Sequence, residues 1–235
     1  MSDRPKHPSN HPLDILLLTL VAGRADALGY LNLGKVFTSN MTGNVVLMGI
    51  ALSEGRGTDT GRSLFALLAF ILGNCLGAWI CSRAGRKETS PAYITGVIGM
   101  EAVMLLGYAL VSALLPPEQQ LTFAYPLIAL LGLSMGLQAA AVYRLGTPGV
   151  TTTAITGTLT TLLTGLMRTI NFLPAMPSEK RGSPASFGLQ GLVILIYCVG
   201  AAVSGVFRLH AGTWAGFVPA VTVLIVVLTR LSRRV

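Results

Sequence analysis

The chain has 235 residues, of which 52% are hydrophobic and only 11% charged, against about 25% charged in an ordinary soluble domain. A mean hydropathy of +0.67 leaves too little polar surface to cover a water-soluble globule. The net charge of +8 does not mark a nucleic-acid partner. The basic residues are dispersed at the edges of apolar blocks, at the N-terminus, at Arg83, Arg86 and Lys87, at Arg168, Lys180 and Arg181, and at Arg230, Arg233 and Arg234, as in positive-inside loops.

Residues 1–12 form a polar tail expected in the cytoplasm, and its His7 and His11 read as solvated rather than metal-binding, given Pro8 and Pro12. A first membrane repeat, 13–115, holds apolar stretches at 14–34, 37–53, 62–83 and 91–115. A Pro-Pro-Glu-Gln-Gln linker at 116–120 leads to a second repeat, 121–235, with stretches at 121–145, 149–168, 186–208 and 213–231. Six of these have the length and apolarity of spanning helices. The run Ile15–Gly23 followed by Ala25-Asp26-Ala27 has some features of a cleaved signal, but Asp14 and Asp26 bracket it. It reads instead as the first membrane segment. Cys75, Cys81 and Cys198 lie inside apolar blocks and form no ligand pair or disulfide framework.

The stretches 37–53 and 149–168 differ from the others, opening with Thr, Ser, Asn and Gly before turning apolar. They occupy matching places in an internal repeat. Thr42-Gly43 aligns with Thr156-Gly157, Thr38 with Thr152, and the run ending at Tyr30 with the run ending at Tyr143. Downstream, Cys75-Leu76-Gly77-Ala78 aligns with Cys198-Val199-Gly200-Ala201. If the two Thr-Gly segments enter and return, six helices span and nearly all the basic loops share one face. Each half then has three spans, so the repeats are inverted relative to each other. Eight full spans is the alternative. The fold class is thus an all-α polytopic membrane protein with six spanning helices, two Thr-Gly-rich re-entrant or broken segments, and an internal two-fold repeat.

Irregular backbone at membrane depth survives only where protein buries it or where it lines a wet cavity. In inverted-repeat transporters two such segments meet near the midplane and form the solute site. The candidates are therefore Thr38, Ser39, Asn40, Thr42, Gly43 and Asn44 together with Thr152, Thr153, Thr156, Gly157 and Thr158. A plain small-residue helix interface is the competing reading. Arg24, Asp26 and Glu101 fall deep within apolar blocks, where a charge costs about 2.5–3.5 kcal/mol and usually faces a pathway or a partner. Asn74 and Gln138 also lie inside their helices. Arg24 and Asp26, two apart, do not share a helix face. A static Arg24–Glu101 ion pair is the structural alternative to a role in transport.

Gly132-Leu-Ser134-Met-Gly136 has the spacing of a hydrolase nucleophile elbow. That motif needs a strand-to-helix turn and a His partner, whereas this one sits mid-helix and suits small-residue packing, as does Gly73 with Gly77. Asn40-Met41-Thr42 matches a glycosylation sequon, at a depth where no glycan is added. Phosphate-cradling, dinucleotide and zinc motifs are absent from the sequence. No catalytic residue, metal ligand or cofactor is assigned.

The segments 22–52 (AGRADALGYLNLGKVFTSNMTGNVVLMGIAL) and 135–162 (MGLQAAAVYRLGTPGVTTTAITGTLTTL) resemble the YoaK family, a widespread group of bacterial membrane proteins of unknown function. The likeness covers almost the whole chain after residue 12. Ala154 departs from it, standing where the family has a bulkier residue. The resemblance implies a multi-span helical fold in the bacterial inner membrane, and no activity.

The functional expectation is a secondary transporter or channel-like protein for a small solute or ion, not an enzyme, with both termini cytoplasmic. Its partners are the lipid bilayer and that solute, with no nucleic acid, and a homo-oligomer is compatible with it. The alternative is a non-transporting membrane scaffold or regulatory subunit of a partner complex.

Overall fold

Lipid offers no partner to a bare N–H or C=O, so apolar runs of membrane length satisfy their backbone internally, as helices. The computed structural model describes residues 12–83, 91–147, 149–153, 155–169 and 184–233. The expectations placed on the N-terminal tail, including His7 and His11, on Arg86, Lys87, Lys180, Arg181 and Arg234, and on Ala154 lie outside the described residues.

The helices are α1 (Pro12–Asn32), α2 (Met41–Ser53), α3 (Gly57–Ser82), α4 (Pro91–Leu114), α5 (Ala124–Leu145), α6 (Ile155–Thr169), α7 (Pro184–Ala211) and α8 (Phe217–Ser232). Short 3₁₀ turns at Pro117–Gln119 and Gly212–Gly216 precede α5 and α8. Five of them, α3, α4, α5, α7 and α8, are long and apolar enough to cross a membrane. Helix α1 has 21 residues but carries Asp14, Arg24 and Asp26. Helices α2 and α6 have only 13 and 15 residues, a rise of about 20 and 22 Å against a hydrocarbon core of about 30 Å. Leu68, Leu72, Leu106, Leu110, Leu195 and Val221 project outward, as a lipid-facing surface requires.

Glycine lets two helix pairs approach to backbone contact. A methyl group at Gly23 in α1 would stand 2.2 Å from the Tyr197 carbonyl oxygen in α7, and one at Gly200 would stand 2.4 Å from the Leu20 carbonyl oxygen. Helices α3 and α5 meet in the same way, Gly136 against the Phe70 carbonyl oxygen and Gly73 against that of Leu133, each at 2.2 Å. Such crossings replace the hydrophobic driving force that lipid does not supply. The Gly132-x-Ser134-x-Gly136 motif is used in this packing. Gly132 abuts Ala69, and the Ser134 hydroxyl donates to the Leu131 carbonyl at 2.7 Å within its own helix.

Contacts at the helix ends decide the path of the chain. Gly34, just past α1, packs against Arg62 in the first turns of α3. Gly149, just past α5, packs against Gln190 near the start of α7. Helices α2 and α6 therefore leave one end of the bundle and return to it. Gly216 at the head of α8 lies against Tyr108 and Ala109 late in α4, so those helices are antiparallel. At the other end Asp14, buried at the start of α1, pairs with Arg230 at 3.0 Å and Arg233 at 3.5 Å near the end of α8. Among the described residues, five helices long and apolar enough to cross a membrane, with α1 packed among them and α2 and α6 too short to span, make up the polytopic helical fold expected above.

Candidate functional site

Helix α1 ends in a turn with Gly34 at φ 86° and Lys35 at φ 60°, and the chain runs without regular structure from 36 to 40 before α2 begins. Side chains take up the exposed backbone groups of this stretch. Asn44, seven residues on, accepts the Phe37 N–H at 2.8 Å and donates its amide to the Phe37 carbonyl at 2.6 Å. Asp26 accepts the N–H groups of Thr38 and Ser39, both at 2.6 Å, and of Asn40 at 3.2 Å. The Ser39 hydroxyl adds a fourth bond at 2.8 Å, and the Tyr197 hydroxyl, from α7, donates to the same carboxylate. Each partner is a donor, which suits the ionised, acceptor-only carboxylate. Asp26 is buried and ties α1, the first segment and α7 together.

The second segment is built in a similar way. Gly146, at φ 67°, stops α5 in the left-handed conformation usual at a helix C-terminus. The Thr158 hydroxyl accepts the Thr151 N–H at 3.1 Å, again from seven residues away. Gln138 of α5 donates to the Thr152 hydroxyl and to the Leu18 carbonyl of α1, both at 3.0 Å.

Between the two segments lies a pocket of about 270 Å³. Ser39, Asn40, Met41 and Thr42 form one wall, Thr153, Ile155 and Thr156 the other, with Phe70 and Tyr197 at the sides. A larger cavity of about 950 Å³ runs beside the second segment, and Thr153 lines both. Asn74, Thr152, Gly157 and Thr158 line the larger one. Gly43 packs against the Phe37 ring, and Asn44 is buried behind the pocket.

The structure thus brings both Thr-Gly segments to one pocket and sets the charged candidates apart from its lining. Asp26 and Gln138 hold the segments from behind. Arg24 is buried, its Nε and Nη2 without hydrogen-bond partners, with its guanidinium carbon 5.4 Å from the Phe207 ring centre in a cation–π contact. Glu101 is fully buried and neither carboxylate oxygen has a partner. The ion pair considered between Arg24 and Glu101 is not formed, since each faces its own surroundings. Phe70, Met41, Ile155 and Tyr197 line the pocket without having been singled out in the sequence. Apolar walls carry no polar signal, and only the tyrosine, mid-way along an apolar run, could have been noticed.

Long apolar helices with exposed leucines, two helices too short to span and a pocket between the segments that lead into them define a polytopic helical membrane protein. The family model described as "Protein of unknown function (DUF1275)" matches residues 15–229. The chain belongs to that family. It is 36% identical over 188 residues to the UPF0700 transmembrane protein YoaK of Bacillus subtilis (strain 168), an alignment covering 79% of this chain and 78% of that protein. No solved structure matches it.

Proposed function

We propose that the protein is a secondary transporter or channel-like protein of the bacterial cytoplasmic membrane, not an enzyme, with both termini inside. It carries a small solute or ion through the pocket between its two Thr-Gly segments. The observation that carries this reading is that both Thr-Gly segments line one pocket at matching sequence places. Ser39 faces it with Thr153, Met41 with Ile155 and Thr42 with Thr156, all at one constant sequence offset.

Other parallels support the duplication. Asn44 holds Phe37 as Thr158 holds Thr151. The α1–α7 crossing repeats as α5–α3, with Gly23 and Tyr197 answering to Gly136 and Phe70. Gly200 against Leu20 then answers to Gly73 against Leu133, which shifts the register of α3 on α7 by one helical turn from the Cys75–Cys198 alignment. Because each half has three traversing helices, the halves have opposite orientations, the arrangement in which transporters place their solute site.

The test is osmotic swelling of proteoliposomes, followed by light scattering in isosmotic glycerol, urea, sodium acetate and ammonium chloride. Swelling faster than in protein-free vesicles, and lost in the Thr42→Val and Thr156→Val variants, is the expected result. Swelling equal to protein-free vesicles in all four, together with a co-purifying partner, would favour a scaffolding role instead.

A further inference from the structure

Transport through the inner pocket needs a way in, and the two segments differ in what lies beside them. In the second half the 950 Å³ cavity reaches from Tyr143 and Arg144, at the end of α5, to Thr153 at the inner pocket. Ala139 lines it, and the counterpart of Ala139 in the first half is Asp26. There the carboxylate takes the N–H groups of Thr38, Ser39 and Asn40 and draws the segment onto α1. Tyr30 stacks on Phe37 with ring centres 5.4 Å apart, and Gly43 closes on the same ring. The corresponding Tyr143 is 84% exposed against 40% for Tyr30, and a methyl group at Gly157 would meet nothing within 4 Å. The first segment is latched to its helix, and the second borders a cavity.

The wall of the open cavity also has a sign. Among its described lining residues Arg144 is the only charged one, and none is acidic. Asn74 and several threonines supply hydrogen bonds, including Thr147, whose buried hydroxyl oxygen has no partner. Among the described lining residues of the inner pocket none is charged. Among the described lining residues of the cavity a cation would find no carboxylate, whereas an anion would meet a guanidinium and hydroxyl donors. The Asp26 carboxylate behind the inner pocket is taken up by its own N–H and O–H donors.

Resting on the transport reading, we infer that the cavity beside the second segment is the entry vestibule of the inner pocket, open at one face only, and that it takes small anionic solutes. The experiment places Thr153→Cys in a background with Cys75, Cys81 and Cys198 replaced by alanine, reconstituted in liposomes. The probes are the anionic 2-sulfonatoethyl and the cationic 2-(trimethylammonium)ethyl methanethiosulfonates, added to either face, with rates divided by those for a free thiol. The anionic reagent is expected to react faster, on the order of tenfold, from one face only, and Arg144→Gln should bring the ratio near one. Thr161→Cys, on the same cavity wall, repeats the measurement should Thr153→Cys not fold.

Equal or inverted rates, reaction from both faces, or no reaction at either position would overturn the proposal. Swelling and labelling fail separately. Selective labelling without flux would leave an anion-accepting cavity and remove the transport reading, while flux without selective labelling would do the reverse.

Discussion

Tyr197 in α7 donates its hydroxyl to Asp26 in α1, joining positions 171 residues apart at the point where the irregular first segment also binds that carboxylate. The bond spans the two halves of the molecule and sits directly behind the inner pocket. Tyr197 lines the pocket, and its hydroxyl holds Asp26.

Asp26→Asn turns one acceptor oxygen into an N–H₂ group facing donors. Bonds to a charged acceptor are worth about 1.5–3 kcal/mol each, and a buried donor left unmet costs about 1–3 kcal/mol. The variant should lose about 2–4 kcal/mol of stability and Tyr197→Phe about 1–2 kcal/mol, read from denaturation of the detergent-solubilised protein. Unchanged stability of Asp26→Asn would show that the carboxylate is not the anchor.

The glycine crossings make a contrast within one residue type. In open helix, Gly→Ala gains about 0.5–1 kcal/mol, so Gly188→Ala, where a methyl group meets nothing within 4 Å, should be neutral or stabilising. Gly23→Ala and Gly136→Ala drive a methyl group into backbone at 2.2 Å, where nothing flexible can give way. They should cost more than about 3 kcal/mol and remove the monodisperse peak in size-exclusion chromatography.

Asn44→Ala leaves the Phe37 N–H and carbonyl unpaired at depth, with an expected loss of about 1–3 kcal/mol. Thr158→Val should behave alike at Thr151 but more mildly, because its bonds, at 3.1 and 3.3 Å, are longer. Thermal melting of the two variants checks the order. Thr158→Val proving the costlier would argue against equivalent clamps.

Asp14 is buried while its partner Arg230 is only slightly exposed and Arg233 more so. Arg230→Gln leaves the buried Asp14 carboxylate with only the longer contact to Arg233 at 3.5 Å. The loss should therefore stay below about 3–5 kcal/mol, the cost of breaking a fully buried pair outright. A double-mutant cycle with Asp14→Asn should return most of the loss as coupling. Additive effects would show that the two groups do not interact.

Topology is checked by impermeant thiol reagents in intact cells, in the background lacking native cysteines. Lys35→Cys and Ser53→Cys, at the two ends of the first re-entrant unit, should label from one face. Tyr143→Cys and Thr169→Cys, bounding the second, should label from the other. Lys35→Cys and Ser53→Cys labelling from opposite faces would mean that α2 crosses.

Much of the architecture was legible because lipid is a severe solvent. Only a helix hides twenty consecutive peptide groups from it, so hydropathy alone marks the long helices. The same severity makes a Thr-Ser-Asn-Gly run at depth conspicuous, and both such runs proved to face one pocket. The close-packing glycines of α3 and α5 follow from small-residue spacing.

What the sequence by itself determined is therefore the class of protein, the long helices and the two polar segments, because each is a local property of composition against an apolar solvent. Only the tertiary structure decided what the charges do. Asp26 meets groups 12 to 14 residues and 171 residues away, Asp14 meets Arg230 across 216, and Arg24 and Glu101 turn out not to pair. A buried charge announces that it needs company, but the choice of partner is made by which helices pack together, and no spacing along the chain records it. The same packing brought the end of α1 to the start of α3 and the end of α5 to the start of α7, tied the first segment to the Asp26 carboxylate, and left a cavity beside the second.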